Sequence, residues 1–204
     1  MLLDGQDLLA LPRNLLAQKT AYLTQNRQIP DITVERMVLH GRFPYLSYPR
    51  KYRHEDYRIA EEAMEQMQLS EFAQTPLSCL SGGQQQRVYI AMVLAQDTPV
   101  VLLDEPTTYL DMANQMQMMQ LARNMAQQGK TVIMVIHDLP QAFRIADKLV
   151  LMENGRVVSE GTKEDMFISN EIARVFEIRL DRVKTDIGWR YFCEERDACV
   201  YPRA

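Results

Sequence analysis

Two short apolar runs, each followed at once by polar residues, restrict the fold more than any other part of the sequence. The first run covers residues 100–103 (VVLL) and leads into Asp104 and Glu105; the second covers residues 131–136 (TVIMVI) and leads into His137. Consecutive apolar residues of this kind predict strands buried on both faces, as in a parallel α/β sheet. Polar residues at the carboxyl ends of such strands lie where these sheets bind ligands.

Helical patterns alternate with the two predicted strands. Helix-forming residues fill three segments, residues 85–95, 114–128 and 140–146. Strands that alternate with helices predict an α/β fold with a mostly parallel sheet. The residues expected to face the sheet from the second of these helices are Met118, Leu121, Ala122 and Met125.

The segment Gly129-Lys130-Thr131 matches the end of the phosphate-binding loop G-x-x-x-x-G-K-[ST], but its surroundings do not fit that loop. Position 124 is Asn where the loop needs its first Gly, and a strand follows the segment where such a loop opens a helix. We therefore predict that Gly129 is the C-terminal cap of the preceding helix.

A serine and two glycines precede the first of these helical patterns, within residues 80–87, which read LSGGQQQR. Ser81 is a good N-cap, glycines let another molecule approach the backbone closely, and a helix N-terminus attracts phosphate. Ser-Gly-Gly alone is more often an ordinary capped helix after a loop. The whole string resembles the signature motif of ATP-binding-cassette (ABC) ATPases.

Further segments resemble the other motifs of that family, and they occur in the family's order. Residues 100–106 (VVLLDEP) resemble the Walker B motif, residues 108–111 (TYLD) the D-loop, and His137 the switch histidine. Residues 22–25 (YLTQ) resemble the Q-loop, although Thr24 stands where the family more often has Pro. A lone Gln or His is more often structural, but the order and spacing of the motifs argue against chance.

The resemblance implies roles in ATP hydrolysis for these positions. Glu105 would polarise the attacking water and His137 would contact the γ-phosphate, while Gln25 and Asp104 would bind Mg²⁺. The positions assigned to binding of ATP and Mg²⁺ are Gln25, Ser81, Gly82, Gly83, Gln84, Asp104 and Asp111. In this family each ATP lies between two subunits arranged head to tail. Ser81 and the glycines after it would therefore contact nucleotide held by the second subunit.

One motif of the family is missing from the 204 residues. ABC ATPases carry G-x-x-x-x-G-K-[ST] upstream of the Q-loop, where backbone amides and a lysine hold the phosphates. Only 24 residues precede Gln25, and none of them match this pattern. Residues 1–8 suggest an Asp-Gly turn between two short strands, the first of them cut short. We expect that the N-terminal strands and the P-loop are missing through truncation, and that the chain does not bind ATP alone.

Residues 30–95 resemble the helical subdomain of ABC ATPases, which contacts the membrane-embedded permease. Helical spacing predicts one helix that begins at residues 32–35 and a second at residues 55–69. The apolar face expected for the second helix consists of Tyr57, Ala60, Met64 and Met67. Between these helices, residues 41–49 (GRFPYLSYP) are predicted to form an aromatic loop broken by two prolines. In this family the region after the Q-loop receives a permease coupling helix, so the resemblance favours permease contact over loop packing.

The following part of the chain is predicted to contain a hairpin and a terminal helix. Residues 148–152 and 156–159 pair as strands across an Asn-Gly turn. Residues 161–166 resemble the family's final turn before a terminal helix, here residues 171–177. The resemblance therefore covers residues 1–177 as a partial ABC ATPase domain.

Residues 178–204 are predicted to be a C-terminal extension outside that domain. Its aromatic side chains either pack on the domain or form a small strand pair, and no chemistry is assigned to them. These residues are Trp189, Tyr191, Phe192 and Tyr201.

Composition excludes several classes of protein. The net charge of −4 implies no general attraction to nucleic acid, and no apolar run approaches the ~18 residues that span a bilayer. Three irregularly spaced cysteines argue against a disulfide framework or a zinc site. The resemblance places such a chain at the cytoplasmic face of the plasma membrane as a peripheral subunit.

Three functions remain open on the sequence. Residues 41–45, 63–64 and 80–87 most resemble importer ATPases for ferric siderophores, with cobalamin and haem importers close by. Such a subunit works with transmembrane permease subunits, with a second ATPase subunit and indirectly with a substrate-binding protein, and without nucleic acid. The first alternative is a non-hydrolysing fragment or pseudo-ATPase that offers only its signature motif to a partner. The second is an ABC ATPase of the DNA-repair or translation type, which usually carries coiled-coil insertions or tandem cassettes.

Overall fold

The computed structural model describes residues 2–3, 5–24, 29–108, 110–186 and 188–195. Within these ranges the helices are α1 (Arg13–Lys19), α2 (Val34–Leu39), α3 (His54–Gln66), α4 (Gly82–Gln96), α5 (Met112–Gln127), α6 (Leu139–Ile145), α7 (Lys163–Ile168) and α8 (Glu171–Phe176). The strands are β1 (Leu2–Leu3), β2 (Gln6–Asp7), β3 (Thr20–Leu23), β4 (Val100–Asp104), β5 (Thr131–Val135), β6 (Leu149–Glu153), β7 (Arg156–Gly161), β8 (Ile178–Thr185) and β9 (Gly188–Glu195). The chain divides into two compact units, Met1–Val135 and Ile136–Ala204, which are described separately.

The sheet of the first unit is parallel, as the apolar runs predict. Its strand order is β3-β4-β5, and Tyr22, Leu102 and Ile133 lie side by side in register. Strands β4 and β5 are connected through α5, so the chain crosses from one parallel strand to the next by a helix. This arrangement confirms the predicted α/β class.

The expectation that β5 is buried on both faces is wrong in this structure. Val132 and Met134 pack against the main core, whereas Ile133 and Val135 are each 49% exposed. Successive side chains of a strand point to opposite faces of the sheet, so a sheet covered on one side shows this alternation. Among the described strands β5 lies at one edge of the sheet, and its second face is open.

Helices α2, α3, α4 and α5 supply most of the core of the first unit. Thr33 is the N-cap of α2, and its hydroxyl oxygen accepts a hydrogen bond from the backbone N–H of Arg36 at 3.4 Å. On α3 the predicted apolar face is confirmed for Ala60 and Met64, which are buried. Tyr57 departs from that prediction with 47% exposure, because it lies in the first turn of α3 and meets Tyr52 edge-on instead of the core.

The predicted aromatic loop is in part a short helix. Residues His40–Tyr45 form a 3₁₀-helix that packs against the end of α4. The side chain of Arg42 donates a hydrogen bond to the carbonyl oxygen of Ala95 at 3.0 Å, and the hydroxyl of Tyr45 donates one to that of Gln96 at 2.8 Å. Because the last carbonyls of a helix have no partner within the helix, these bonds favour an ordered turn over an open loop.

Gly41 allows this close approach, and a larger residue there is expected to lower stability. A Cβ atom at position 41 would lie 2.2 Å from the carbonyl oxygen of Met92. Gly41→Ala should therefore reduce the free energy of unfolding by about 1–3 kcal/mol through overpacking, measured by urea denaturation. Gly82→Ala is the matched control, since no atom lies within 4 Å of the Cβ position there. Equal unfolding midpoints for the two variants would contradict this account of Gly41.

Helix α5 and the residues after it confirm the prediction for Gly129. The apolar residues predicted to face the sheet, Met118, Leu121, Ala122 and Met125, are all buried. Gly129 has a φ of +88° and its N–H donates to the carbonyl of Ala126, as at a helix C-terminus. The ammonium of Lys130 pairs with Asp97 at 2.6 Å. Residues 129–131 therefore connect a helix to a strand and do not form a phosphate-binding loop.

The second unit begins with α6 and contains two antiparallel hairpins. The predicted hairpin is confirmed as β6 and β7, joined by Asn154 and Gly155, whose φ values are both positive as this tight turn requires. Thr162 caps α7 in a reciprocal capping box with Asp165.

The C-terminal extension forms the strand pair that was one of its two predicted arrangements. Strands β8 and β9 pair along their whole length, from Ile178 opposite Glu195 to Thr185 opposite Gly188. The ring of Tyr191 stacks on that of Phe143 in α6 with 4.3 Å between centroids, so this hairpin also packs on its own unit. Tyr201 lies outside the described residues.

No helix within the described ranges combines the length and the apolar character needed to cross a membrane.

Candidate functional site

The N-terminus of α4 is capped as the sequence predicts. The hydroxyl oxygen of Ser81 accepts a hydrogen bond from the backbone N–H of Gln84 at 3.3 Å, and the side-chain oxygen of Gln84 accepts one from the N–H of Ser81 at 2.9 Å. Ser81 and Gly82 are exposed, and no atom lies within 4 Å of the position that a Cβ on Gly82 would take. This end of the helix is open to an anionic group of another molecule.

Two further glutamines of α4 fix this end of the helix. The sequence predicts no site role for either of them. The side chain of Gln85 donates to the carbonyl oxygens of Leu77 at 3.0 Å and Leu80 at 3.1 Å. That of Gln86 donates to the carbonyl oxygen of Pro106 at 2.7 Å. A polar residue at a buried position of the helix was the only available signal, since the partners lie on other segments.

Asp104 ends β4 at the carboxyl edge of the sheet. One of its carboxylate oxygens accepts a hydrogen bond from the hydroxyl of Tyr22 at 3.3 Å. Loss of solvation, together with the negative charge of Asp104 and this hydrogen bond, raises the pKa of the Tyr22 hydroxyl above its usual value. Tyr22 therefore stays a neutral hydrogen-bond donor to Asp104. In the sequence, Tyr22 stands out only as part of the segment that resembles the Q-loop.

Glu105 lies in a tight turn directly after β4. Its φ of +46° is unusual for a residue other than glycine, and its N–H donates to the carbonyl of Val135 at 3.2 Å. A carboxylate oxygen of Glu105 accepts a hydrogen bond from the hydroxyl of Thr108 at 3.2 Å, and its carbonyl oxygen accepts one from the Thr108 N–H at 3.2 Å. The turn thus holds both the backbone and the carboxylate of Glu105 in place.

Asp111 is the N-cap of α5. Its carboxylate accepts a hydrogen bond from the backbone N–H of Asn114 at 2.9 Å, and this bond is the main cause of the lowered pKa of Asp111. An acidic residue placed just before a helical pattern is a recognised capping signal, so the sequence could have indicated this structural role. A role of Asp111 toward nucleotide stays a prediction.

Of the remaining predicted site residues, one belongs to the second unit and one is not described. His137 is exposed in the second unit and precedes Asp138, which caps α6 by accepting from the N–H of Gln141 at 2.9 Å. Within the first unit the structure therefore brings Tyr22 to Asp104. Gln25 lies outside the described residues.

The carboxylate at the end of β4 suits Mg²⁺ in its chemistry. Within the described ranges no group of three or more His, Cys, Asp or Glu side chains is placed to hold a metal ion. Mg²⁺ is commonly bound through one or two carboxylates together with phosphate oxygens of the substrate. Asp104 is half-buried with its carboxylate beside a neutral hydroxyl, which fits that mode of binding.

Comparison with known sequences agrees with the motifs. The family model for ABC transporters matches residues 1–108. The chain is 40% identical over 178 residues to the iron(3+)-hydroxamate import ATP-binding protein FhuC of Bacillus subtilis, an alignment that covers 86% of the chain and 66% of FhuC. It is 37% identical to the probable siderophore transport system ATP-binding protein YusV of Bacillus subtilis, covering 100% of the chain and 76% of YusV. The chain thus spans about two thirds to three quarters of the length of these relatives.

Solved structures show the same fold. A putative metal-chelate type ABC transporter in an inward-facing conformation matches with a TM-score of 0.77 and 27% identity, over 86% of this chain and 72% of that one. A dimeric ATP-binding cassette bound to ADP and Pi matches with a TM-score of 0.67 and 29% identity, over 79% of this chain and 72% of that one. These likenesses confirm the predicted P-loop NTPase-like fold. With its sequence motifs, its family match and its fold in agreement, the chain belongs to the ABC transporter family.

Proposed function

We propose that this chain is an ATP-binding and ATP-hydrolysing subunit of an ABC importer that takes up an iron–siderophore or a related chelate. The observation that carries the proposal is the open, capped N-terminus of α4, tied through Gln86 to the turn that holds Glu105. The cargo class rests on the relatives, which include import proteins for iron(3+)-hydroxamate, ferric enterobactin and hemin. This transport similarity favours the proposal over a DNA-repair or translation role.

Each part of the site has a distinct proposed role. The backbone at Ser81, Gly82 and Gly83 offers hydrogen bonds to the γ-phosphate of nucleotide held by a second subunit. Gln84 contributes by closing the cap on Ser81, since its side chain already accepts the N–H of that residue. Asp111 keeps the start of α5 in place next to this region by capping it.

Hydrolytic roles are proposed for two residues at the end of β4, Asp104 and Glu105, and for Gln25 and His137 elsewhere in the chain. Asp104 together with Gln25 would hold Mg²⁺, which neutralises charge on the phosphates when bound. Glu105 orients and polarises the attacking water, and His137 contacts the γ-phosphate. Positioning and charge stabilisation of this kind account for most of the rate enhancement in phosphoryl transfer.

Contact with a transmembrane permease is proposed for the aromatic surface of the first unit. Phe43, Tyr48 and Tyr57 are 43%, 96% and 47% exposed, and the guanidinium of Arg50 lies 4.7 Å from the centre of the Phe43 ring. Exposed aromatic residues beside arginine are typical of protein interfaces. A peripheral position at the cytoplasmic face of the membrane, a head-to-tail ATPase dimer and an indirect link to a substrate-binding protein belong to the same proposal.

The trans role of the signature can be tested with a mixed dimer. The second subunit is an ABC ATPase with its own P-loop and a disabled signature, so that ATP hydrolysis needs the signature of this chain. Mixing is expected to restore ATPase activity, and Ser81→Arg should abolish it, because a bulky cation blocks close approach to the glycine backbone. Initial rates of phosphate release measure the effect.

Ser70→Arg is the matched control, since it places the same side chain at an exposed serine of the same unit. It should leave the restored activity unchanged. ATPase activity that is unchanged by Ser81→Arg would contradict the proposed function. A mixed dimer whose formation is demonstrated but which has no activity would also contradict it. In the second case the chain cannot complete even half a site, which also counts against the alternative that offers only its signature motif to a partner.

A further inference from the structure

Gln86 lies one helical turn after the glycines of the signature motif. Residues three and four apart share a face of a helix, so Gln86 is on the same face of α4 as Gly82 and Gly83. It is only 8% exposed, although glutamine is mostly found at protein surfaces. A buried polar side chain on the nucleotide-facing side of this helix calls for a specific partner.

A partner of Gln86 belongs to the turn that holds Glu105. The side-chain N–H of Gln86 donates to the carbonyl oxygen of Pro106 at 2.7 Å, and Pro106 is itself buried. On either side of Pro106, Glu105 has its left-handed backbone and Thr108 bonds to it through both N–H and hydroxyl. A buried carbonyl left without a donor costs free energy, so this bond fixes the turn as well as the helix.

Other amide side chains of the helix hold it to different segments. Gln85 bonds to Leu77 and Leu80, just before the helix, and Gln96 at the far end bonds to Ala17 at 2.6 Å and Thr20 at 3.1 Å. Gln96 and Gln86 are therefore both glutamines of α4 whose side chains donate to backbone carbonyl oxygens. They differ in the segment whose carbonyls they reach. This difference provides a matched control.

We infer that Gln86 is a positioning residue, which locks the glycine-bearing end of α4 against the turn that carries Glu105. One subunit thereby presents its signature and its proposed catalytic carboxylate in one fixed arrangement. The structural part of this inference stands on the contacts alone, whereas its consequence for ATP hydrolysis rests on the proposed function. In a head-to-tail dimer the signature motif and Glu105 of one subunit act on different nucleotides. Gln86 would therefore couple the positions of groups in the two ATP sites.

The structural part is tested on the full 204-residue chain by hydrogen exchange. Gln86→Met keeps the length and volume of the side chain and removes the donor. Because the buried hydrogen bond to the carbonyl of Pro106 is lost, the backbone amides of residues 81–85 and the non-proline amides of residues 104–108 should exchange about fivefold or more faster than in the unmutated chain. Gln96→Met should leave exchange at both segments unchanged, whatever its effect on the melting temperature.

Unchanged exchange at residues 104–108 in Gln86→Met would overturn the inference, and so would an equal acceleration there in Gln96→Met. Gln86→Glu replaces Gln86→Met if the latter does not fold. It is close in shape but turns an acceptor toward the Pro106 carbonyl, so the same two segments should again exchange faster. Exchange at the unmutated rate in Gln86→Glu would equally overturn the inference.

The functional part is tested in the mixed dimer described above. Gln86→Met is expected to lower kcat about fivefold or more with little change in KM for ATP, because the partner's P-loop holds the nucleotide. Gln96→Met should leave both constants unchanged. A rise in KM at constant kcat, or equal loss in both variants, would overturn the positioning role. If the unmutated mixture is inactive, the proposed function fails, and hydrogen exchange still decides the role of Gln86.

Discussion

Glu105→Gln is expected to lower ATP turnover by about 10²–10⁴-fold in a protein that combines this chain with a phosphate-binding loop. The chain itself contains no G-x-x-x-x-G-K-[ST] sequence, so the measurement uses a chimera in which such a segment of an ABC ATPase precedes it. The physical reason is the position of Glu105, whose carboxylate is held at the end of β4 by the hydroxyl of Thr108 at 3.2 Å. An amide of the same shape cannot accept a proton from water or polarise it comparably.

The substitution should change kcat and not ATP binding. Glutamine keeps the hydrogen bond from Thr108, so the backbone of the turn and the KM for ATP should stay close to those of the unmutated chimera. Glu65→Gln is the control, because Glu65 lies exposed on α3. Steady-state phosphate release measures both. A Glu105→Gln chimera that turns over ATP at the rate of the Glu65→Gln control would show that Glu105 is not the catalytic carboxylate.

Arg42→Ala is expected to reduce the free energy of unfolding by about 3–5 kcal/mol. The guanidinium of Arg42 bonds to the carboxylate of Asp56 at 3.1 Å, and the side chains of the two residues are 10% and 8% exposed. It also donates to the carbonyl of Ala95 and lies 4.1 Å from the centre of the Tyr45 ring. Removing it leaves a buried carboxylate without its cation and takes a donor from the carbonyl of Ala95, and both changes are costly.

Urea denaturation of the chain with and without the substitution measures this effect. Arg58→Ala is the matched control, since Arg58 pairs with Glu55 and Glu62 on the exposed face of α3. Exposed pairs contribute about 0–1 kcal/mol, so the control should change the unfolding midpoint little. The double substitution Arg42→Met with Asp56→Leu should recover much of the loss, because it removes both buried charges. Similar midpoints for Arg42→Ala and Arg58→Ala would contradict the assigned role of the buried pair.

Hydrogen bonds hold helix α4, which carries the signature motif, at both of its ends. Arg42, Tyr45 and Gln96 join its C-terminal end to the preceding segments of the first unit, while Gln85 and Gln86 fix its N-terminal end. The glycines that would meet a phosphate lie at the N-terminal end, so Gln85 and Gln86 bear on their position. The bonds at the C-terminal end bear on the stability of the unit.

Rules that act between near neighbours in sequence determined much of this protein. Consecutive apolar residues predicted β4, and Ser81 before a helical pattern predicted the cap of α4. Gly129 predicted the end of α5, and Asn154 with Gly155 predicted a hairpin turn. In each case the deciding interaction lies within one turn or one strand pair, so the local sequence contains all the groups that take part.

Only the tertiary structure decided which polar residues are buried and which apolar ones are exposed. The carbonyl partner of Arg42 is 53 residues away, and that of Gln86 is 20 residues away. Tyr57 and Ile133 fit apolar patterns, yet they are 47% and 49% exposed. Spacing shows that a residue faces inward or outward relative to its own helix or strand. The segment that the folded chain brings against that face determines whether a charge is paired, a carbonyl is satisfied or an apolar side chain is covered.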